Sequence, residues 1–166
     1  MDSSSILHRV KKEFFFFTGT VVQDLSVISF CRFPYDKRHP VGCPNWNHKK
    51  GCPPHTKPFL SVYHPLVKIV IARLDFSEYL RLKREIHPDW TDKALRNPRH
   101  WQGHLRASLK IFLSTQSIPQ GYRIVNNAEA MGINLFETCA NAGFVLERSP
   151  QNYVCQVNLL AKPNHS

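Results

Sequence analysis

Val67, Ile69, Val70, Ile71, Ala72 and Leu74 form a nearly unbroken apolar run, and its β-branched content predicts a buried strand over 66–76. An earlier block, Phe14 to Phe17 followed by Val21, Val22, Leu25, Val27, Ile28 and Phe30, predicts one or two strands leading into Cys31. Elsewhere the period lengthens. Trp101, Leu105, Leu109 and Phe112 recur at helical spacing, with Arg99, Arg106, Ser108 and Lys110 off that stripe, which predicts an amphipathic helix over 99–115.

Shorter elements fill the gaps. A helix over 6–12 precedes the phenylalanines, and Ser77 is placed to cap a helix ending near Ile86. Residues 121–125 fit a strand. Two short helices, 127–131 and 135–142, are stopped by Gly132 and Gly143. Val145-Leu146 and Val154–Leu160 read as closing strands. The mixture predicts a single domain over 1–166, α+β or α/β, with a mixed sheet, flanking helices and a long cysteine-bearing loop.

That loop, 31–58, breaks every period. Pro34, Pro40, Pro44, Pro53, Pro54 and Pro58, with Gly42 and Gly51, exclude a long helix or a central strand there. A structureless stretch of such length usually serves a function. It carries Cys31, Cys43 and Cys52 but little apolar content to order it, so thiolates converging on a metal are the economical way to hold it. The close cysteine pairs of a zinc finger are missing. Cys43-Pro44 and Cys52-Pro53 instead match the cysteine–proline pairing of ferredoxin ligand runs, which favours an iron–sulfur cluster, [4Fe–4S], with zinc as the alternative. Cys139, His55 or a substrate atom would complete the ligand set. Cys155 lies within an apolar strand pattern and reads as a core thiol.

Charge adds a partner class. Twenty-two Lys and Arg against 12 Asp and Glu give a formal net charge of +10, which favours a polyanion. The loop concentrates Arg32, Lys37, Arg38, Lys49, Lys50 and Lys57 against Asp36 alone, beside Tyr35 and Trp46. Lys37, Arg38, Trp46, Lys49 and Lys50 are therefore candidate nucleic-acid contacts, the lysines for phosphate and the indole for stacking. On the middle helix Arg96, Arg99 and Arg106, with His100 and His104, are candidates to line a groove for RNA or a nucleotide. Asp92 and Glu129 are the nearest carboxylates, with no spacing distinctive of acid–base work.

The opening Met1–Ser5 has no basic region, and the phenylalanine run is too short to span a bilayer. A cytoplasmic protein with reduced cysteines and no stable membrane insertion is expected, a disulfide-stapled secreted domain being the alternative. No phosphate-binding glycine loop, nucleophile elbow or His-Glu-x-x-His zinc helix occurs, which argues against NTP-driven or zincin chemistry.

Two stretches carry a likeness to a known family. Gly42-Cys43-Pro44-Asn45-Trp46-Asn47-His48-Lys49-Lys50-Gly51-Cys52-Pro53-Pro54-His55 resembles the cysteine segment, ending in Cys-Pro-Pro, of a family of predicted metal-binding proteins of uncharacterised function. Cys31 stands in that family's first-cysteine position. The segment from Asn127 to Phe144, with Cys139, is similar to the family's helix–glycine–helix region. The short Cys-x-x-Cys entry of the family is absent here. The resemblance implies a bound metal. Together with the basic surface it suggests an iron–sulfur protein acting in RNA or nucleotide modification, as in sulfur insertion or removal during tRNA processing. The rival is a non-enzymatic zinc-stabilised module that binds nucleic acid or a protein partner.

Overall fold

Four strands form one sheet: β1 (Lys12–Thr20), β2 (Leu66–Asp75), β3 (Arg123–Val125) and β4 (Tyr153–Ala161), in the order β1-β2-β4-β3. The computed structural model describes residues 3–34 and 39–164. The apolar run of the sequence becomes β2, whose Ile69, Val70, Ile71 and Ala72 are wholly buried; consecutive residues point to opposite faces, so this stretch is covered on both and needs that pattern. The pairings run antiparallel. Asp75 N–H donates to Lys11 O (3.2 Å) and Val21 N–H to Pro65 O (2.9 Å), while β3 pairs with β4 through Arg123↔Ala161 and Val125↔Leu159. Antiparallel pairing with helices between strands makes the class α+β.

The chain divides into two compact units, Met1–Phe15, Ile71–Ile118 and Leu146–Gln156 in the first, Phe16–Val70, Pro119–Val145 and Val157–Ser166 in the second. In the first unit α1 (Ser3–Arg9) packs on α2 (Phe76–Ile86), followed by α3 (Asp92–Leu95) and α4 (Gln102–Thr115). Asp75, rather than Ser77, caps α2: its carboxylate accepts from Glu78 N–H (3.0 Å), and the Ser77 hydroxyl donates to it instead. The long helix begins later than the periodicity suggested because Pro98–His100 form a separate 3-10 turn. Leu105, Leu109 and Leu113 fill the α4 core face, each contributing about 2 kcal/mol by burial. Phe112 stays half-buried, its ring stacked 4.4 Å from that of Phe14.

In the second unit the stretch Leu25–Arg32, expected as strand, is a 3-10 helix. Asp24 caps it by accepting from Ser26 N–H (2.9 Å), a local bond that competes with strand pairing. A further 3-10 turn, Ala128–Met131, ends at Gly132 with φ +83°, and α5 (Leu135–Asn141) follows. Gly132 suits that left-handed φ, which side chains rarely adopt; a Cβ there would also displace the exposed Leu25 side chain, whose Cδ2 would stand 2.6 Å away. Val145-Leu146 form no strand. Residues 40–58 consist of turns, as the prolines required.

Candidate functional site

The cysteine loop is anchored by a short antiparallel clasp within the second unit. Asp24 N–H donates to Gly132 O (2.8 Å), Asn134 N–H to Val22 O (2.9 Å), and Gln23 bridges Ile133. The Thr138 hydroxyl accepts from Val22 N–H (2.9 Å) and fixes the same strand end to α5. The clasp lays the Leu25–Arg32 helix, whose penultimate residue is Cys31, against the Ala128–Met131 turn, which carries Glu129.

Two contacts then bring in the other cysteines. Cys43 N–H donates to Cys31 O (2.8 Å), joining the first two cysteines through the backbone. Gly42 makes this possible: its φ is +132°, and a Cβ there would stand 2.7 Å from the same Cys31 oxygen. The Asn127 side-chain amide donates to Gly51 O, tethering Cys52 beside the 128–131 turn. Within the loop Cys52 N–H donates to Lys49 O (2.8 Å), Asn47 N–H to Pro53 O (2.9 Å), and the His55 ring bonds Asn47 O (3.2 Å).

The electrostatics report the same juxtaposition. Burial pushes the Cys31 thiol up, and the Cys43 and Cys52 sulfurs and the Glu129 carboxylate push it further. The Glu129 carboxyl is itself raised by the atoms packed around it, although its side chain keeps contact with solvent. The half-buried Cys31 thiol is thus within electrostatic reach of two other half-buried thiols and one carboxylate. As the side chains stand, no three His, Cys, Asp or Glu among the described residues form a group that could hold a metal ion. The donor set suits a soft or borderline metal; the grip is not preformed.

The other candidates are dispersed. Cys139 is fully buried on α5, its carbonyl accepting from Phe144 N–H (2.9 Å). Cys155 lies on β4, its thiol pushed up to about 11, mainly by burial. All five cysteines are thiols, without disulfides. Lys49 and Lys50 are exposed, and the Arg32 guanidinium lies 5.8 Å from the centre of the half-buried Trp46 ring. Lys37 and Arg38, like Tyr35 and Asp36, lie outside the described residues.

In the first unit Arg96 is engaged in holding the chain, donating to Pro150 O (2.8 Å) and Gln151 Oε1 (3.0 Å). It lines an open cleft of about 630 Å³ with Phe76, Asp92, Trp101 and Ser149. Arg99 and Arg106 are exposed, and Arg106 Nε reaches Gln156 Oε1 (3.3 Å). Sequence reasoning noticed Glu129 but not its company with the cysteines; a motif scan has no signal for a contact created by the 22–24 to 132–134 clasp.

No helix among the described residues is long and apolar enough to cross a membrane. No family model, curated protein or solved structure matches the chain.

Proposed function

We propose that Cys31, Cys43 and Cys52 form a thiolate metal centre, with an iron–sulfur cluster as the group it holds. The observation that carries this reading is the Cys43-to-Cys31 backbone bond, which fixes two of the three cysteines side by side in a loop with little apolar content. The electrostatic effect of both Cys43 and Cys52 on the Cys31 thiol supports it. Binding would displace the thiol protons and turn the sulfurs inward, so that metal affinity and loop order rise together. The bound group would supply a structural or redox centre; the chain supplies three soft donors, a nearby carboxylate, and the exposed cations Lys49 and Lys50 to offset the negative charge of the thiolates.

One observation favours zinc as the second reading. Glu129 beside the thiols offers an oxygen, and three sulfurs with one carboxylate oxygen make an acceptable tetrahedral zinc set. Colour and metal content decide between the two. Protein purified without oxygen should absorb broadly near about 400 nm and hold iron and sulfide if a cluster is bound. A colourless protein with one zinc per chain would replace the cluster by zinc. Single Cys31→Ser, Cys43→Ser and Cys52→Ser variants should each lose metal, and full metal retention in all three would overturn the centre altogether.

A further inference from the structure

The half of the sheet that belongs to the second unit carries a surface patch unrelated to the cysteines. Lys68 of β2 places its ammonium 5.6 Å from the Phe16 ring centre and 6.0 Å from that of Tyr122. Lys162, just past β4, lies 5.2 Å from the Tyr122 ring. Phe16, Leu66 and Ile124 are 45%, 47% and 42% exposed, and Lys162 also faces solvent. The β3–β4 register explains the grouping: extending Arg123↔Ala161 by one residue sets Tyr122 opposite Lys162, and alternation puts Ile124 on the same face.

The stretches that build this patch, 16–20, 66–70, 119–125 and 157–163, contain no Asp or Glu. A charge-balanced protein surface would pair such lysines with carboxylates; here aromatic rings are their neighbours. Ammonium groups beside one exposed ring, Phe16, and one half-buried ring, Tyr122, on an antiparallel sheet match what an unpaired nucleic-acid strand presents, namely phosphates and base faces.

We propose that this sheet face binds single-stranded nucleic acid, with Phe16 and Tyr122 stacking bases and Lys68 and Lys162 contacting phosphates. One ammonium reaches both rings, so the site spans about two or three nucleotides. The surface is charge-complementary to that partner, and the proposal stands whether or not a metal occupies the cysteine loop.

Fluorescence anisotropy with end-labelled oligouridine and oligodeoxythymidine tests it. Binding should weaken steeply with salt. Tyr122→Leu should weaken it about tenfold while Tyr122→Phe, which keeps the ring, should not. The Lys68→Gln/Lys162→Gln pair should lower both the affinity and the salt slope. RNA and DNA binding equally would support a site that reads rings and phosphates; a preference for RNA would support one that also senses the 2′-hydroxyl. Metal content of the sheet variants should equal that of the parent, so the two proposals fail separately. Absence of binding, binding only to anionic vesicles or acidic peptide, or loss of binding on Lys49→Gln/Lys50→Gln with the sheet variants unaffected would each overturn the proposal.

Discussion

The amide of Cys43 donates to the carbonyl of Cys31 at 2.8 Å, and Gly42 between them in the fold has no side chain because that carbonyl occupies the space. The bond converts two distant sequence positions into neighbours without any sulfur chemistry. It places them where Cys52 and Glu129 also act on the Cys31 thiol. The backbone therefore joins two of the thiol-bearing residues without a ligand, and a metal bound as proposed would close a loop that is already half closed.

Gly42→Ala tests this ordering of events. The added methyl meets Cys31 O in a backbone conformation that side chains rarely adopt, at an expected cost of about 1–3 kcal/mol. Because the clash falls on the Cys31–Cys43 junction, metal content should fall along with thermal stability. Normal metal content at reduced stability would show that the junction is only structural.

A second substitution should stabilise the protein. The Tyr79 hydroxyl is buried without a hydrogen-bond partner among the described residues, and burial pushes its acidity down, its pKa reaching about 12. Its ring packs 5.7 Å from that of Phe76, a contact phenylalanine would keep. Tyr79→Phe removes the unpaired group and should raise unfolding stability by about 1 kcal/mol, read as a shifted urea midpoint. A loss of stability would mean that the hydroxyl has a partner after all.

The elements of the fold were legible in sequence to an uneven degree. β2 and α4 follow from local periodicity, which backbone geometry enforces over a few residues. The 3-10 helix over Leu25–Arg32 did not, because its aromatic and β-branched residues suit a strand until Asp24 caps the segment and its flank pairs with 132–134. The same distant pairing hides the company Glu129 keeps. Spacing singled out the three loop cysteines. It gave no means of choosing a fourth donor, since that choice depends on which remote turn the loop is tethered to.

Acid should destabilise the first unit through two histidines. Burial holds His100 below its usual value, with Lys83 and His87 adding to the effect; burial likewise lowers His104, helped by Lys12 and His8. A histidine depressed in the folded state takes up more protons when unfolded. Its contribution is thus fully present above about pH 6.5 and is lost as pH falls through the lower folded value. Urea midpoints should drop between about pH 7.5 and about pH 5.5. The double variant His100→Gln/His104→Gln should show a shallower fall, and an unchanged slope would exclude these groups as its source.

Asn127 offers the sharpest test of how the site is assembled, because its amide ties Gly51 to the turn that carries Glu129 without itself supplying a thiol. Asn127→Ala removes the tether and should weaken metal binding about tenfold, the lower end of the range for residues that position ligands. Asn127→Asp removes it too but adds a negative charge near the thiolates. At a solvent-exposed position that charge attracts a cation by only about 1 kcal/mol, roughly fivefold in affinity. If the tether acts by holding Cys52 in place, the aspartate variant should recover part of the alanine loss but stay below the parent. Binding tighter than the parent would mean that local charge, rather than the position of Cys52, sets the affinity. Equal binding in all three proteins would remove Asn127 from the account and leave the Cys31–Cys43 junction and the bonds within the loop to organise it.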